Sequence, residues 1–467
     1  MQKLFPDRAM LRVILSLALP TVLEQVLQTA VQYVDTAMVA SLGTDAVAAV
    51  GSTTTLNWLF GSAVSALSIG FLAYISQSLG AKRTEDARRA AAQSVFVTLV
   101  VGVFLTVLTL SLSSAIPRWM QVDETIAPTA SRYFFLLYTP MLFRTASIVF
   151  STVLRSAGDT KTPMKIAFLV NATNVALNFL FIYPTRTVTL FGTSVTLFGL
   201  DLNVEGAALA SAVSFVLGGL LTARALFSHP TLSPRGLSLR PDRRILFPCL
   251  RVALPNLLQR AATSAGYVVF ATMINSFGPV SVAAHTVANT VESAFYIPAY
   301  GMQTAASTLA GNACGARNSG AMRRLPRTFL PLETLLMLAS GALLFVFAPS
   351  LSALFSAEDS VRTLATAVLQ MIAVTEPFYG VSIIIEGFLL GIGETRLPFL
   401  FNTVGMWGVR IIGTALTLTF TDFGLVGAWG CMIAHNLLLF VLFSLTLNRK
   451  RNNPLYRAVD ASDSAKN

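Results

Sequence analysis

The chain reads as an all-α polytopic membrane protein: twelve transmembrane helices in two pseudo-symmetric six-helix lobes, arranged as a parallel repeat. Three observations predict this. First, 54% of the 467 residues are hydrophobic and only 12% are charged, with a mean hydropathy of +0.66, against roughly 25% charged in a soluble domain. Second, apolar runs that reach the ~20 residues needed to cross a bilayer recur along the whole chain. Third, the second half repeats the first. Leu19-Pro20 recurs as Leu254-Pro255, an offset of 235 (254 minus 19), and Ser41-Leu42-Gly43 recurs as Ser276-Phe277-Gly278. At the same offset Gly80-Ala81 becomes Gly315-Ala316, and the stretch from Gly158 to Pro163 becomes Gly393 to Pro398. Near the end of each half the offset drops to 221, where Gly206-Ala207 answers Gly427-Ala428; the 14 residues lost (235 minus 221) lie around Thr185 to Val204. Many transporters are duplicated hydrophobic chains with a substrate path between the repeats.

The spans fall at 13–41, 46–77, 90–115, 128–154, 163–184, 204–227, 249–276, 281–311, 328–349, 361–391, 398–420 and 424–447. Helices of this length satisfy their own backbone polar groups, which lipid demands. Thr162-Pro163 is a helix-start pattern, a cap followed by proline at the first helical position, so the Gly158 and Gly393 stretches read as turns rather than chemistry. The lobes are 1–227 and 249–447, joined by a Pro-, Ser- and Arg-rich linker at 228–248. The polar tail 448–467 is expected to be disordered. Lys3 to Arg12 before an apolar run mimics a secretory signal. The run continues through Val22 to Val39 without a small-residue cleavage site, so it reads as the first span.

With the N-terminus inside, the inner segments hold 26 of the 33 Lys and Arg, including Lys82, Arg83, Arg88, Arg89, Arg155, Arg243, Arg244, Arg317 and Arg396. The outer turns hold Arg118, Arg132, Arg186 and Arg362 and are otherwise acidic. This is the positive-inside bias, and it places both termini in the cytoplasm and the chain in the plasma (inner) membrane. It also accounts for the net charge of +11 without a nucleic-acid partner; the partners expected are the lipid bilayer and small organic molecules. An even number of spans per repeat makes both halves enter the membrane alike, so the pseudo-twofold axis follows the membrane normal.

Cys249, Cys314 and Cys431 share no paired spacing, so neither a disulfide framework nor a zinc site is expected. The histidines show no ligand pattern, and no phosphate-binding glycine loop is present. The chain therefore reads as a non-enzyme without cofactor or resident metal, and its energy is expected from an ion gradient or a partner rather than from ATP hydrolysis by the chain itself.

A charge at the bilayer centre costs at least ~2.5–3.5 kcal/mol and marks function by default. Asp35 lies about six residues from the outer end of the first span, and its repeat counterpart is Phe270, so the fold does not itself require a carboxylate there. The fifth span returns to the same face with Asn171, Asn174 and Asn178; the last two, four apart, share a side. A carboxylate beside amides in a low-dielectric pocket can take up and release a proton, and the same oxygens suit Na⁺; a structural helix-to-helix hydrogen bond is the plainer reading. Glu292 answers Asn57 across the repeat and either lines a cavity or pairs with Arg260. Arg144, Glu376 and Arg410 are expected in structural ion pairs. Glu24 and Glu386, nearer the inner ends, are expected to snorkel or pair with loop arginines.

The chain resembles the multidrug and toxic compound extrusion (MATE) family over nearly its whole length. The resemblance rests on Leu19-Pro20, Val34-Asp35-Thr36-Ala37-Met38-Val39, Leu79-Gly80-Ala81, the stretch Leu154 to Thr160, and Ala310-Gly311-Asn312 running into Gly315-Ala316. It implies a two-lobed antiporter that exports organic cations and other amphiphiles against H⁺ or Na⁺, with Asp35 as the coupling carboxylate beside Asn174 and Asn178. Two departures from the NorM-like branch, Thr263 where it carries a glutamate and Tyr379 near its aspartate, imply closer kinship with the DinF-like branch. Some relatives there have an aspartate at the position of Asn178.

The mechanism expected is alternating access by rocking of the lobes, in a unit able to work as a monomer. Substrate contacts are expected from Gln32, Asn57, Tyr267, Glu292 and Tyr300, with apolar surface from Met38, Phe60 and Met302, since methionines and aromatic faces suit promiscuous cationic ligands. The alternative is a flippase for lipid-linked oligosaccharide precursors from the same superfamily, disfavoured because only Arg144, Arg260 and Arg410 are embedded.

Overall fold

The computed structural model describes residues 8–120, 122–190, 193–448 and 453–464. Lys3, Arg449, Lys450, Arg451 and Lys466, part of the charge bias, lie outside them. The first half comprises α1 (Arg8–Ala40), α2 (Thr44–Gly80), α3 (Thr84–Ser111), the short α4 (Ala115–Trp119), α5 (Ala127–Tyr138), α6 (Met141–Ser156) and α7 (Lys161–Phe181). Strands β1 (Pro184–Leu190) and β2 (Thr193–Leu200) and helix α8 (Asn203–Phe227) complete it. The second half comprises α9 (Arg243–Asn275), α10 (Pro279–Gly315), α11 (Ser319–Phe355), α12 (Asp359–Ala373), α13 (Glu376–Gly391) and α14 (Arg396–Thr403). A π-helical stretch (Val404–Ile411), α15 (Ile412–Phe420), α16 (Gly424–Asn448) and α17 (Pro454–Ser464) follow.

Two expected spans are broken rods. The α5–α6 pair bends by 48° and the α12–α13 pair by 54°. Each break sits at a proline, Pro140 capping α6 and Pro377 in the first turn of α13, where the missing N–H and the restricted preceding residue interrupt a helix. With each pair as one rod, and α14, the π stretch and α15 as another, the described residues form six rods per half. Eight helices among them are long and apolar enough to cross a membrane, and the bent pairs raise this to ten. The remaining two, α9 and α10, span 33 and 37 residues and carry polar groups such as Gln259, Arg260, Glu292 and Gln303 along their length.

The repeat is visible in the backbone. Helix α9 starts and ends 235 residues after α1 (243 minus 8; 275 minus 40), and α10 and α13 repeat α2 and α6 at the same offset. Left-handed residues recur in pairs: Gly43 and Gly278 (φ 112° and 91°), Gly158 and Gly393 (84° and 82°), and the non-glycine Lys82 and Arg317 (59° and 52°). Lys82, Gly158, Arg317 and Gly393 each follow the last residues of a helix and end it tightly, whereas Gly43 and Gly278 open α2 and α10 as their N-caps. The 14-residue slip is an antiparallel β1–β2 hairpin, with Arg186 opposite Leu197 and Thr187 opposite Thr196. Its Thr- and Val-rich sequence suits a pleated surface.

The lobes exchange helix ends. Ile14, Leu17 and Ala18 of α1 pack in a cluster with Met302, Ala306, Ile384 and Phe388 of the second half, whereas Met38 and Val39 of the same helix belong to the first-half core. Reciprocally, Ile245 and Cys249 of α9 join the first-half core. Glycines make the crossing close: a Cβ on Gly70 would lie 2.1 Å from the Cys249 carbonyl oxygen, on Gly80 2.1 Å from that of Asn312, and on Gly315 1.8 Å from that of Gln77. Small residues let backbones approach in this way. All three contacts lie at the basic ends of the helices, so that end of the seam is closed. Further along the seam, Thr21 donates to Gly301 O at 2.8 Å and Tyr33 Oη to Thr290 O at 2.7 Å.

The expected disorder of the tail is corrected in part. Helix α17 docks with Leu455 and Val459 buried in the second-half cluster, and Arg323 stacks on Tyr456 at 5.2 Å. Its apolar residues recur every fourth position, enough for one buried face.

Candidate functional site

Asp35 sits on α1 facing α7, half-buried. Asn174 and Asn178 of α7 are 5% and 1% exposed. Asn178 Nδ2 donates to Asp35 Oδ1 at 2.5 Å. One end of the Asn174 amide lies 2.9 and 3.2 Å from the two Asp35 oxygens, and its other end lies 3.3 Å from Ser211 Oγ of α8. With nitrogen toward Asp35, Asn174 donates to an ionised carboxylate while its oxygen accepts from Ser211. Turned over, its oxygen faces Asp35 as the acceptor a protonated carboxyl needs, and its nitrogen donates to Ser211. An amide is both donor and acceptor, so this pocket can satisfy both charge states of Asp35. Among the described residues no Lys or Arg lies within 4 Å of Asp35. Asn171 makes no hydrogen bond to the carboxylate; its Nδ2 is buried without a hydrogen-bond partner among the described residues.

The equivalent place in the second half has the opposite sign. Phe270, the counterpart of Asp35, is 1% exposed, and the Arg410 guanidinium stacks on it at 5.4 Å and on Tyr267 at 5.2 Å. Arg410, Glu292, Glu376 and His435 are all buried. Glu376 opens α13, where the helix N-terminus favours an anion. Sequence reasoning passes over Glu333 of α11, which is 0% exposed with both carboxyl oxygens lacking a hydrogen-bond partner among the described residues. The signal for it was a single acid within an otherwise apolar span.

The expected ion pairs of Arg144, Glu376 and Arg410 do not form: none of them, nor Glu292 or Arg260, has an opposite charge within 4 Å among the described residues. Arg144 donates to Asn57 Oδ1 and stacks on Phe215 at 5.0 Å; Arg260 Nε donates to Asn256 Oδ1 at 3.2 Å. Polar and aromatic groups thus take the role assigned to carboxylates. Glu24 does pair with Arg155, whereas Glu386 accepts from Gln259 Nε2 at 2.7 Å and has no arginine within 4 Å among the described residues.

The expected substrate-contact residues divide. Gln32 is exposed and Tyr267 is 46% exposed. Asn57 is tied to Arg144, Phe60 packs edge-on against Tyr138 at 5.5 Å, and the Tyr300 hydroxyl lies 3.3 Å from that of Tyr379. Met38 and Met302, 6% and 3% exposed, are core residues and not cavity wall. Met38 is covered by its own lobe's core, whereas Met302 is covered by the exchanged end of α1, in one cluster with Ile14, Leu17 and Ala18.

The MatE family model matches the chain twice, at residues 20–180 and 255–416, the two copies lying 235 apart (255 minus 20) like the helices themselves. The chain belongs to the MatE family and is a multi-pass helical membrane protein of that transporter class. It is 28% identical over 434 residues to the "probable multidrug resistance protein NorM" of Thermotoga maritima, covering 93% of this chain and 90% of that one. It is 26% identical over 415 residues to the "probable multidrug resistance protein YoeA" of Bacillus subtilis, covering 88% and 87%. In fold it is similar to a crystal structure of MATE in complex with MaD3S, with TM-score 0.86, 24% identity, and 96% and 97% of the two chains covered. An outward-facing conformation of a multidrug resistance MATE family transporter gives TM-score 0.87 at 23% identity, again over 96% and 97%.

Proposed function

We propose that this chain exports amphiphilic and cationic organic compounds by antiport against H⁺, with Asp35 as the coupling carboxylate. The observation that carries the reading is a half-buried carboxylate whose partners among the described residues are the amides of Asn178 and the reversible Asn174, on a helix whose other half is anchored in the opposite lobe. The multidrug resistance names of its relatives support the substrate class. The basic bias supports an inner-membrane orientation with cytoplasmic termini, and the presence of both lobes in one chain supports function as a monomer.

Taking up a proton converts Asp35 from a double acceptor into a donor, so the Asn174 amide turns over and Ser211 reorients. That repacks the Asp35 half of α1 against α7 and α8. The Ile14–Ala18 half, fixed to α10 and α13, transmits the change to the second lobe. Proton and substrate thereby favour different states of one cycle. Thr263 and Tyr379, uncharged where the NorM-like branch has acids, support coupling centred on the first lobe, as in the DinF-like branch.

The test is efflux of a fluorescent organic cation from proteoliposomes under an imposed pH step, repeated with a Na⁺ step. Wild-type protein is expected to respond to the pH step and Asp35→Asn to lose the response while inserting normally. Undiminished export by Asp35→Asn removes the assignment; a response to Na⁺ alone replaces H⁺ as the driver.

A further inference from the structure

At the basic end of the seam lies a cavity of 410 Å³ walled by α2, α9 and the turn joining α13 to α14, within the ~300–1,000 Å³ range of ligand pockets. Tyr74 and Gln77 of α2, Phe247 and Arg251 of α9, and Arg396 at the start of α14 line it. The walls are fixed by contacts between lobes: Gln77 Nε2 donates to Gly391 O at 3.0 Å, and Gly70 abuts the Cys249 backbone. Arg251 and Arg396 are exposed, and neither has a carboxylate within 4 Å among the described residues. The acid in the lining, Glu394, is engaged elsewhere; its Oε1 accepts from the backbone N–H of Arg396 at 3.1 Å and of Leu397 at 3.3 Å. The fold imposes only part of this polar set: across the repeat Asn312 answers Gln77 and Lys161 answers Arg396, but Leu309 stands at the equivalent of Tyr74 and Ser16 at that of Arg251.

We propose that this cavity binds a phosphate group, free or carried by an anionic lipid headgroup, and that the bound anion holds the basic end of the seam closed. Two guanidiniums present planar forks that match phosphate oxygens, with a phenol and an amide in the same lining as further donors. Phe247, 69% exposed, offers an apolar neighbour for the glycerol and acyl portion of a lipid. Because the groups come from both lobes, the anion meets all of them only while the seam is closed, and a ligand shifts a population by its differential affinity. The inference is independent of which compound or ion is transported.

The test uses the purified full chain in neutral detergent, following its unfolding temperature against inorganic phosphate, short-chain phosphatidylglycerol, short-chain phosphatidylcholine and sodium chloride of matched ionic strength. Saturable stabilisation is expected with phosphatidylglycerol or phosphate beyond both controls. Its apparent affinity should fall about tenfold or more in Arg251→Gln/Arg396→Gln, about one charge-assisted contact at 1.4 kcal/mol per decade. It should persist in Arg243→Gln/Arg244→Gln, which alters exposed arginines outside the cavity lining. Stabilisation by phosphate alone identifies a free-anion site, and by phosphatidylglycerol alone a lipid site. A spin-label distance between Thr84→Cys and Ser319→Cys, after replacement of the native cysteines, should narrow to its short component with the active probe. No shift beyond the controls, an undiminished shift in Arg251→Gln/Arg396→Gln, or an unchanged distance distribution overturns the proposal.

Discussion

At Asp35 the carboxylate depends on amides that can face it either way round, a different situation from a carboxylate locked to an arginine. Removing the Asn178 donor, which lies 2.5 Å from Asp35 Oδ1, takes away a charge-assisted hydrogen bond worth about 1.5–3 kcal/mol. Asn178→Leu is therefore expected to slow pH-driven efflux about tenfold or more, measured in the proteoliposome assay at equal protein density. A second residue-scale case is the buried Glu24–Arg155 pair, with side chains 5% and 17% exposed. Arg155→Leu leaves a buried charge uncompensated, and about 3–5 kcal/mol of destabilisation is expected. Thermal unfolding checks this, and Glu24→Gln/Arg155→Gln should recover part of the loss. The sequence revealed Asp35 and the α7 amides because spacing four apart places side chains on one helix face. It did not reveal Ser211, a common residue on another helix.

Among the elements, α2 and α10 are held together by glycines at which a side chain would strike backbone. A Cβ on Gly315 would sit 1.8 Å from the Gln77 carbonyl oxygen, so Gly315→Leu is expected to force the basic ends apart. The distance between labels at Thr84→Cys and Ser319→Cys would lengthen, and an unchanged distance would show that the helices accommodate the side chain locally. Helix α17 is held through Leu455 and Val459, 0% and 3% exposed. Leu455→Ala is expected to cost about 2–5 kcal/mol at that site. Hydrogen exchange should report it as lost protection confined to residues 454–464.

Across the whole molecule, α1 and α9 tie the lobes together by crossing from one core to the other. The bond from Tyr33 Oη to Thr290 O at 2.7 Å joins the lobes through the half of α1 that carries Asp35. One such bond is worth about 0.5–1.5 kcal/mol net. Tyr33→Phe should therefore move the equilibrium between lobe arrangements by roughly twofold to tenfold. Label distances between Asp45→Cys and Ser276→Cys, at the end opposite the basic seam, are expected to broaden toward longer values in that variant.

By itself the sequence determined the helical membrane fold, the duplication and the pairing of Asp35 with the α7 amides. Hydropathy, an offset repeat and helical periodicity are all written along one dimension. Only the tertiary structure decided that Met38 and Met302 are core, that Arg144 meets Asn57, and that Glu333, Glu376 and Arg410 lie buried without ion-pair partners among the described residues. Apolar residues look the same in sequence whether they face lipid or another helix, and periodicity shows which residues share a face without showing what that face meets. Some of those neighbours come from within one lobe, as Asn57 does for Arg144; others come from the exchange of α1 and α9 between lobes, through contacts more than 200 residues apart such as Thr21 with Gly301.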